Sequence, residues 1–159
     1  MSKVLLAGFL GVNNSSKIIL DKASSNLEKL YLKNDFKKCE EQIKSAISSN
    51  RYQYIFALGQ KPIIKSIYIE LVGCSNETSF QTNFNYAALL EYLSGSGYKV
   101  KTSSNAGNYL CNHVYFHGLK EIYLNSYKTH MIFIHTPYLK NISDTKHLAN
   151  TFSNFFLSL

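Results

Sequence analysis

The centre of the predicted fold is Ser103-Ser104-Asn105-Ala106-Gly107-Asn108-Tyr109-Leu110-Cys111-Asn112-His113-Val114-Tyr115-Phe116. Residues 98–102 before it are typical of a strand, the small residues favour a turn, and a helix is predicted to begin close to Cys111. A thiol in the first turn of a helix faces unpaired N–H groups and the positive end of the helix dipole, which favour the thiolate. Because the thiolate is the nucleophilic form, Cys111 is a candidate attacking group.

Strands and helices alternate in both directions from this stretch. Buried strands are predicted at residues 3–9, 54–58 and 131–134, a short alternating strand at residues 27–32 and a further strand at residues 63–70. Helices are predicted from Asn14-Ser15-Ser16 onward, over residues 36–48 after Asp35, over residues 86–93, and from Ser143-Asp144 onward, whereas residues 76–83 are predicted to form a loop. This alternation, without repeats or a linker, predicts an α/β fold. We expect a three-layer α/β/α sandwich with a mainly parallel sheet, in a single domain of residues 1–159.

The composition excludes several classes of protein. The 159 residues carry 17 Lys+Arg against 10 Asp+Glu, a net charge of +7, but Arg51 is the single arginine and the lysines form no long basic run. Because arginine supplies most bidentate contacts to phosphate and guanine, nucleic acid is not an expected partner. No apolar run approaches the roughly 20 residues that cross a bilayer, and the first residues lack the layout of a signal peptide. The expected location is the cytoplasm, with no membrane partner.

The sequence predicts neither a disulfide nor a metal site. Three cysteines, Cys39, Cys74 and Cys111, cannot all pair, and they contain no Cys-x-x-Cys spacing. Cys39 is interpreted as a small buried apolar residue, and Cys74 stays ambiguous. His113 and His117 have the i, i+4 spacing of a zinc-binding helix, but no glutamate follows His113 as in His-Glu-x-x-His. We therefore expect no metal ligand.

Three chemically complementary side chains follow three predicted strands. Glu70, Cys111 and His135 each lie at or after a strand end, and ligand sites in open α/β sheets lie beyond the carboxyl ends of the strands. A thiol, an imidazole and a carboxylate are the nucleophile, the general base and the orienting acid of acyl transfer. Each residue also has a structural alternative: buried packing for Cys111, capping of a strand end for His135 and a solvated charge for Glu70.

Residues 106–115, Ala-Gly-Asn-Tyr-Leu-Cys-Asn-His-Val-Tyr, resemble the active-cysteine segment of the pyroglutamyl-peptidase I family, also called pyrrolidone-carboxylate peptidases. Family members read Ser-Asn-Ser/Thr-Ala-Gly-Thr-Tyr/Phe-Leu/Val-Cys-Asn at this place. Phe133-Ile134-His135-Thr136-Pro137 is similar to the family's Phe-Ile-His-Val-Pro segment. The interval from Gly59-Gln60 to Glu70 matches the family's spacing between a Gly-Gln turn and its glutamate, and residues 3–9 resemble the family's opening strand.

The resemblance implies a phosphorylase/hydrolase-like fold and a cysteine peptidase that removes N-terminal pyroglutamate from peptides without a cofactor. It implies Cys111 as the nucleophile, His135 as the general base and acid, and Glu70 as the third catalytic member. The positions that match the pocket around the pyroglutamyl ring are Phe9, Asn14, Gln60, Tyr109 and Leu110. Family members assemble as dimers or tetramers, so the expected partners are the peptide substrate and further copies of the chain.

The chain departs from the family at its substrate-binding loops. Residues 8–12 are shorter than the family's opening loop, and Lys61-Pro62 replaces the family's Ala-Gly-Gly-Arg. Residues 71–85 contain no arginine, although the family carries one in a longer segment there. Loss of one electrostatic contact to the transition state lowers a rate by about 10²–10³-fold. The alternative to an active peptidase is therefore a catalytically impaired homologue that binds a peptide or a partner protein in the same crevice.

Overall fold

Strands alternate with helices along residues 3–159, the part of the chain that this computed structural model describes. The strands are β1 Val4–Phe9, β2 Glu28–Leu32, β3 Tyr54–Gln60, β4 Ile67–Glu70, β5 Val72–Ser75, β6 Thr78–Gln81, β7 Val100–Ser103 and β8 His130–Thr136. The helices are α1 Ser15–Lys22, α2 Phe36–Ser48, α3 Ala87–Gly95, α4 Leu110–Asn125 and α5 Thr145–Leu157, with a short 3₁₀ helix at Leu139–Asn141. None of the helices within residues 3–159 has the length and apolar character to span a membrane.

Three helices begin at the polar residues that the sequence indicates. Asn14, Asp35 and Asp144 precede α1, α2 and α5, and the side chain of each accepts a hydrogen bond from a backbone N–H of the first turn. Such a cap satisfies a donor that the helix itself leaves unpaired. Helix α2 has the predicted bounds, because both its cap and its apolar spacing are local features of the sequence.

Six strands form one sheet in the order β2-β1-β3-β8-β4-β7. Helices α1, α3 and α5 pack against one face of this sheet, and α2 and α4 pack against the other. Every residue of β1 is buried, as expected for a strand covered on both faces. The predicted three-layer α/β/α architecture with a mainly parallel sheet is confirmed.

Two neighbouring strands run against the rest of the sheet. Strands β1, β2, β3 and β8 are mutually parallel, whereas β4 is antiparallel to β8 and β7 is parallel to β4. The carboxyl end of β4 therefore points away from that of β8, and the expectation that Glu70 joins the site from the same sheet edge is wrong. Instead, Glu70 lies opposite Phe133, and Tyr68 lies opposite His135. Because alternate residues of a strand share a face, Glu70 is the diagonal neighbour of His135.

The strand predicted to begin at Ile63 begins four residues later, at Ile67. Pro62 has no N–H to donate to a neighbouring strand. Ile63 is 91% exposed and has a left-handed φ of 72°, so its side chain contributes little to the core. The apolar character of Ile63 therefore does not mark a strand.

The loop predicted over residues 76–83 contains β6, which pairs with β5 in an antiparallel hairpin. Asn76, with a φ of 52°, lies in the tight turn between the two strands. Phe80 anchors β6 by packing against Phe116 and Tyr123 of α4. Polar residues fill the exposed positions of β6, and this polarity is why the sequence favours a loop there.

Candidate active site

Cys111 lies in the first turn of α4, directly above the backbone of β3. The first hydrogen bond of the helix runs from the His113 N–H to the Tyr109 carbonyl, at 3.0 Å. The N–H groups of Leu110 and Cys111 precede that bond and have no partner within the helix. A Cβ atom added at Gly59 would lie 2.5 Å from Cys111 Sγ, so the missing side chain of Gly59 makes room for the thiol.

His135 and Glu70 form a buried imidazole–carboxylate pair. His135 Nδ1 is 2.7 Å from Glu70 Oε1, and the two residues are 2% and 0% exposed. The Tyr115 hydroxyl of α4 donates to the Glu70 backbone carbonyl at 2.8 Å, which ties β4 to the helix that carries Cys111. With Nδ1 engaged by the carboxylate, Nε2 is the ring nitrogen left for a reaction partner. The solvated charge suggested as an alternative for Glu70 is excluded by its complete burial.

Lys61 brings a positive charge to this pair. Its Nζ lies 3.7 Å from Glu70 Oε1 and donates to the Asn105 carbonyl at 3.1 Å, in the loop before α4. Lys61 was not a predicted site residue, because Lys61-Pro62 replaces the family's Ala-Gly-Gly-Arg turn and matches none of its motifs. A cation that directly follows Gln60 is the signal that could have identified it. Lys61 thus links the buried carboxylate to the segment that leads to Cys111.

The thiol of Cys111 is protonated at rest. Burial raises its pKa to about 12, the Glu70 carboxylate contributes to the rise, and Lys61 opposes it. The helix start favours the thiolate, as the sequence indicates, but loss of water around the sulfur has the larger effect on the pKa. A base must take the thiol proton before Cys111 can act as a nucleophile.

A cavity of about 540 Å³ opens between the start of α4 and the ends of β1, β3 and β8. It is lined by Cys111 and His135 and by all five residues assigned to substrate binding, Phe9, Asn14, Gln60, Tyr109 and Leu110. Glu70 lies behind His135 and has no exposed surface. Asn34 and Tyr138 also line the cavity, although neither belongs to a motif that predicts a site; Tyr138 directly follows the segment that contains His135.

Two side-chain amides of the cavity have their carbonyl oxygens hydrogen-bonded to the start of α1. Gln60 Oε1 accepts a hydrogen bond from the Ser15 N–H at 3.0 Å. Asn14 Oδ1 accepts bonds from the Ser16 N–H and hydroxyl, at 3.0 and 2.6 Å. Because the start of α1 engages both carbonyl oxygens, Gln60 and Asn14 present donors to the cavity.

The Asn112 side chain of α4 is hydrogen-bonded to the hairpin of β5 and β6. Its Oδ1 accepts from the Cys74 N–H at 2.9 Å, and its Nδ2 donates to the Cys74 carbonyl at 2.7 Å. The contact is close enough that a Cβ atom at Gly73 would lie 2.7 Å from the Phe116 nitrogen. Asn112 therefore has a structural role, which its position next to Cys111 does not reveal. Cys39, by contrast, is completely buried, as predicted.

The amino-acid sequence of the chain is similar to those of a known protein family. The sequence profile described as pyroglutamyl peptidase matches residues 73–153, just over half of the 159 residues. The chain belongs to the pyroglutamyl peptidase family. Pyrrolidone-carboxylate peptidases from two Staphylococcus aureus strains, RF122 and JH9, are each 27% identical to it, over 76% and 71% of this chain and 67% and 64% of their own length. The chain thus spans about two-thirds of the length of these relatives.

Solved structures of pyroglutamyl peptidases share the fold. The enzyme from Bacillus amyloliquefaciens superposes with a TM-score of 0.84 at 19% identity, covering 99% of this chain and 94% of that one. The pyrrolidone carboxyl peptidase from Fervidobacterium islandicum AW-1 superposes with a TM-score of 0.81 at 20% identity, covering 99% and 97%. In this chain, the segment between Glu70 and α3 contains the hairpin of β5 and β6, to which Asn112 is hydrogen-bonded.

Proposed function

We propose that the chain is a cysteine peptidase that removes N-terminal pyroglutamate from peptides. The observation that carries the proposal is the buried His135–Glu70 hydrogen bond beneath a cavity that also exposes Cys111. This arrangement supplies a base to a thiol that is protonated at rest. Membership of the pyroglutamyl peptidase family supports the choice of substrate.

In the first half of the reaction, His135 Nε2 takes the proton of the Cys111 thiol, and the thiolate attacks the pyroglutamyl carbonyl carbon. Glu70 keeps the other ring nitrogen oriented and stabilises the imidazolium that forms. The N–H groups of Leu110 and Cys111 stabilise the developing oxyanion. The imidazolium then gives its proton to the leaving amine, which departs as the shortened peptide, and a thioester remains on Cys111.

In the second half, His135 takes a proton from a water molecule, and the resulting hydroxide attacks the thioester carbon. The bond to sulfur breaks, Cys111 regains a proton through the imidazolium, and free pyroglutamate leaves.

Recognition of the lactam ring is assigned to the cavity walls. The NH₂ groups of Gln60 and Asn14 are donors suited to the ring carbonyl oxygen, because both amide oxygens are engaged by α1. Phe9 and Leu110 supply apolar surface to the ring methylenes. A peptide with a free N-terminal ammonium group lacks the lactam and places a charge against these apolar residues.

The test is release of a chromophoric amine from a pyroglutamyl amide, with the alanyl amide as the substrate control and Cys111→Ala as the enzyme control. We expect turnover of the pyroglutamyl amide alone, with loss of activity in Cys111→Ala. Absence of turnover above the Cys111→Ala background across neutral pH would overturn the proposal. Binding of the pyroglutamyl amide without turnover would instead favour a homologue that only binds peptides.

A further inference from the structure

A second cluster of titratable side chains lies between α2 and α4, outside the cavity of Cys111. His113 and His117 lie one turn apart on α4, and Glu40 faces them from α2. His113 Nε2 is 3.0 Å from Glu40 Oε2, and His117 Nδ1 is 3.3 Å from Glu40 Oε1. One ligand atom from each residue lies within 4.8 Å of the other two. The proposed peptidase reaction uses none of the three.

The protonation states of the cluster suit metal binding. Burial lowers the pKa of His117, which leaves its imidazole neutral and able to offer a lone pair. Burial alone would raise the pKa of Glu40, but the hydrogen bond from Lys44 helps to bring it below its ordinary value, so the carboxylate is charged. His117 Nδ1 is buried and has no hydrogen-bond partner among the described residues. A buried nitrogen without a hydrogen bond is costly unless another group engages it.

We propose that Glu40, His113 and His117 form a binding site for a divalent transition-metal ion such as Zn²⁺. Two imidazoles and one carboxylate are a ligand set that zinc accepts, and water fills the fourth position. Ligand atoms at about 2.0–2.1 Å from a tetrahedral ion lie about 3.4 Å apart. The three ligand atoms here, one from each residue, already lie within 4.8 Å of one another, so small side-chain movements would bring them to that spacing. The glutamate of the His-Glu-x-x-His motif is a general base and not a ligand. Its absence therefore does not exclude a metal here, where Glu40 of α2 supplies the third ligand atom.

The ion would join α2 to α4, the helix that begins at the candidate nucleophile. Lys44 competes with it, since its Nζ lies 2.8 Å from Glu40 Oε1. Lys44 is 40% exposed and can turn towards solvent when a metal takes the carboxylate. This site does not depend on peptidase activity, and its test requires no substrate.

The binding test uses the Cys111→Ala protein, so that zinc cannot bind the thiol of the active site. Isothermal titration calorimetry with Zn²⁺ is expected to show one ion per chain and a higher thermal midpoint when zinc is bound. Glu40→Gln and His117→Ala are expected to weaken binding at least tenfold, the effect of removing one ligand. Lys44→Met is expected to strengthen binding, because it removes the competing cation. Equal affinity in Glu40→Gln and its parent would overturn the proposal, as would weaker binding in Lys44→Met.

A spectroscopic measurement identifies the ligands independently. Co²⁺ bound to nitrogen and oxygen ligands gives visible d–d absorption without a thiolate-to-metal charge-transfer band. Cys74 lines the same surface depression as His113 and His117, so a charge-transfer band that disappears in Cys74→Ser would assign the metal to that thiol and reject the proposed set. Unchanged thermal midpoints of the metal-free variants in EDTA separate loss of a ligand from loss of folding.

Discussion

At the scale of single residues, Gly59 is the position where a small change has the largest expected effect on activity. A Cβ atom there would lie 2.5 Å from Cys111 Sγ and 2.9 Å from Phe133 Cζ. The Phe133 ring is buried in the core, so the thiol is the group that must move. A displacement of about 1 Å costs on the order of 10²-fold in rate, and we expect a loss of that size in kcat/KM for Gly59→Ala.

Gly95→Ala is the matched control for Gly59→Ala. Its added Cβ atom meets no atom within 4 Å, and the position lies in the last turn of α3. We expect kcat/KM unchanged in this variant. If Gly59→Ala kept full activity with the pyroglutamyl amide, the placement of the thiol above β3 would be wrong.

Lys61 is expected to assist catalysis through its charge. Removal of this cation in Lys61→Met raises the pKa of the Cys111 thiol further, because Lys61 opposes the effect of Glu70. We expect kcat/KM to fall about tenfold, the rate change that corresponds to one pKa unit. The pH–rate profile of kcat/KM should shift to higher pH in the same variant.

Lys65→Met controls for loss of a positive charge at an exposed position in the same connection between β3 and β4. It should leave both the rate and the pH profile unchanged. Equal effects of the two substitutions would show that Lys61 acts only through the net charge of the protein.

Short motifs were enough to predict that Cys111 and His135 face one cavity, but the protonation state of the Cys111 thiol could not be predicted. Cys111 and His135 stand within short motifs, and a motif is local in sequence. The pKa of Cys111 depends on how fully water is excluded by groups from β3, β4 and β8, which no nearby residue reveals. The position of Lys61 could not be predicted either, because its partners Glu70 and Asn105 are distant from it in the sequence.

At the scale of elements, Asn112 of α4 makes two hydrogen bonds to β5 of the hairpin. Asn112→Ala removes both hydrogen bonds to the Cys74 backbone and leaves a half-buried N–H and carbonyl unpaired. We expect a loss of about 1–3 kcal/mol in the free energy of unfolding. Hydrogen exchange at the Cys74 amide should accelerate, as measured by mass spectrometry or NMR.

Asn125→Ala tests whether that effect is specific. Asn125 lies on the same helix, and its Nδ2 bonds only to the Glu121 carbonyl in an exposed turn. Its replacement should change stability by less than about 0.5 kcal/mol and leave exchange at Cys74 unaltered. Equal protection of the Cys74 amide in Asn112→Ala and the parent would contradict the role given to Asn112.

Helix starts could be predicted, whereas strand direction could not. Asp35 directly precedes the residues whose apolar spacing predicts α2, so adjacent residues predict both the cap and the helix. The reversal of β4 and β7 depends on which strand each of them pairs with after folding. Their short apolar runs look the same in either direction, and the parallel arrangement of the other strands gave the wrong expectation for Glu70.

At the scale of the whole molecule, burial of thiol and phenol groups makes the free energy of unfolding depend on pH in the alkaline range. Burial raises the pKa of Cys39 to about 11 and those of Cys111 and Tyr31 to about 12, and it also raises the pKa of Tyr115. The unfolded chain loses these protons at lower pH than the folded one. The free energy of unfolding should therefore fall as the pH rises from about 9 towards about 12.

Urea unfolding at a series of pH values measures this decline. Cys111→Ser removes one titrating group, so its decline should be shallower by up to about 1.4 kcal/mol per pH unit. Lys65→Met serves as the control and should follow the parent. A parent protein whose stability stays constant over this range would show that these groups titrate alike in the folded and unfolded states.

Because Glu70 and His135 are diagonal neighbours on β4 and β8, their hydrogen bond forms only when the two strands pair in the native register. A slip of β4 by one residue against β8 would turn the Glu70 carboxylate to the opposite face, among the apolar residues that contact α1 and α5. Such a misfolded molecule would bury an unpaired charge and would also lack the carboxylate that orients the proposed base, His135. Turnover in this protein would then report native strand pairing, and a refolding experiment could use recovered activity to count correctly assembled molecules.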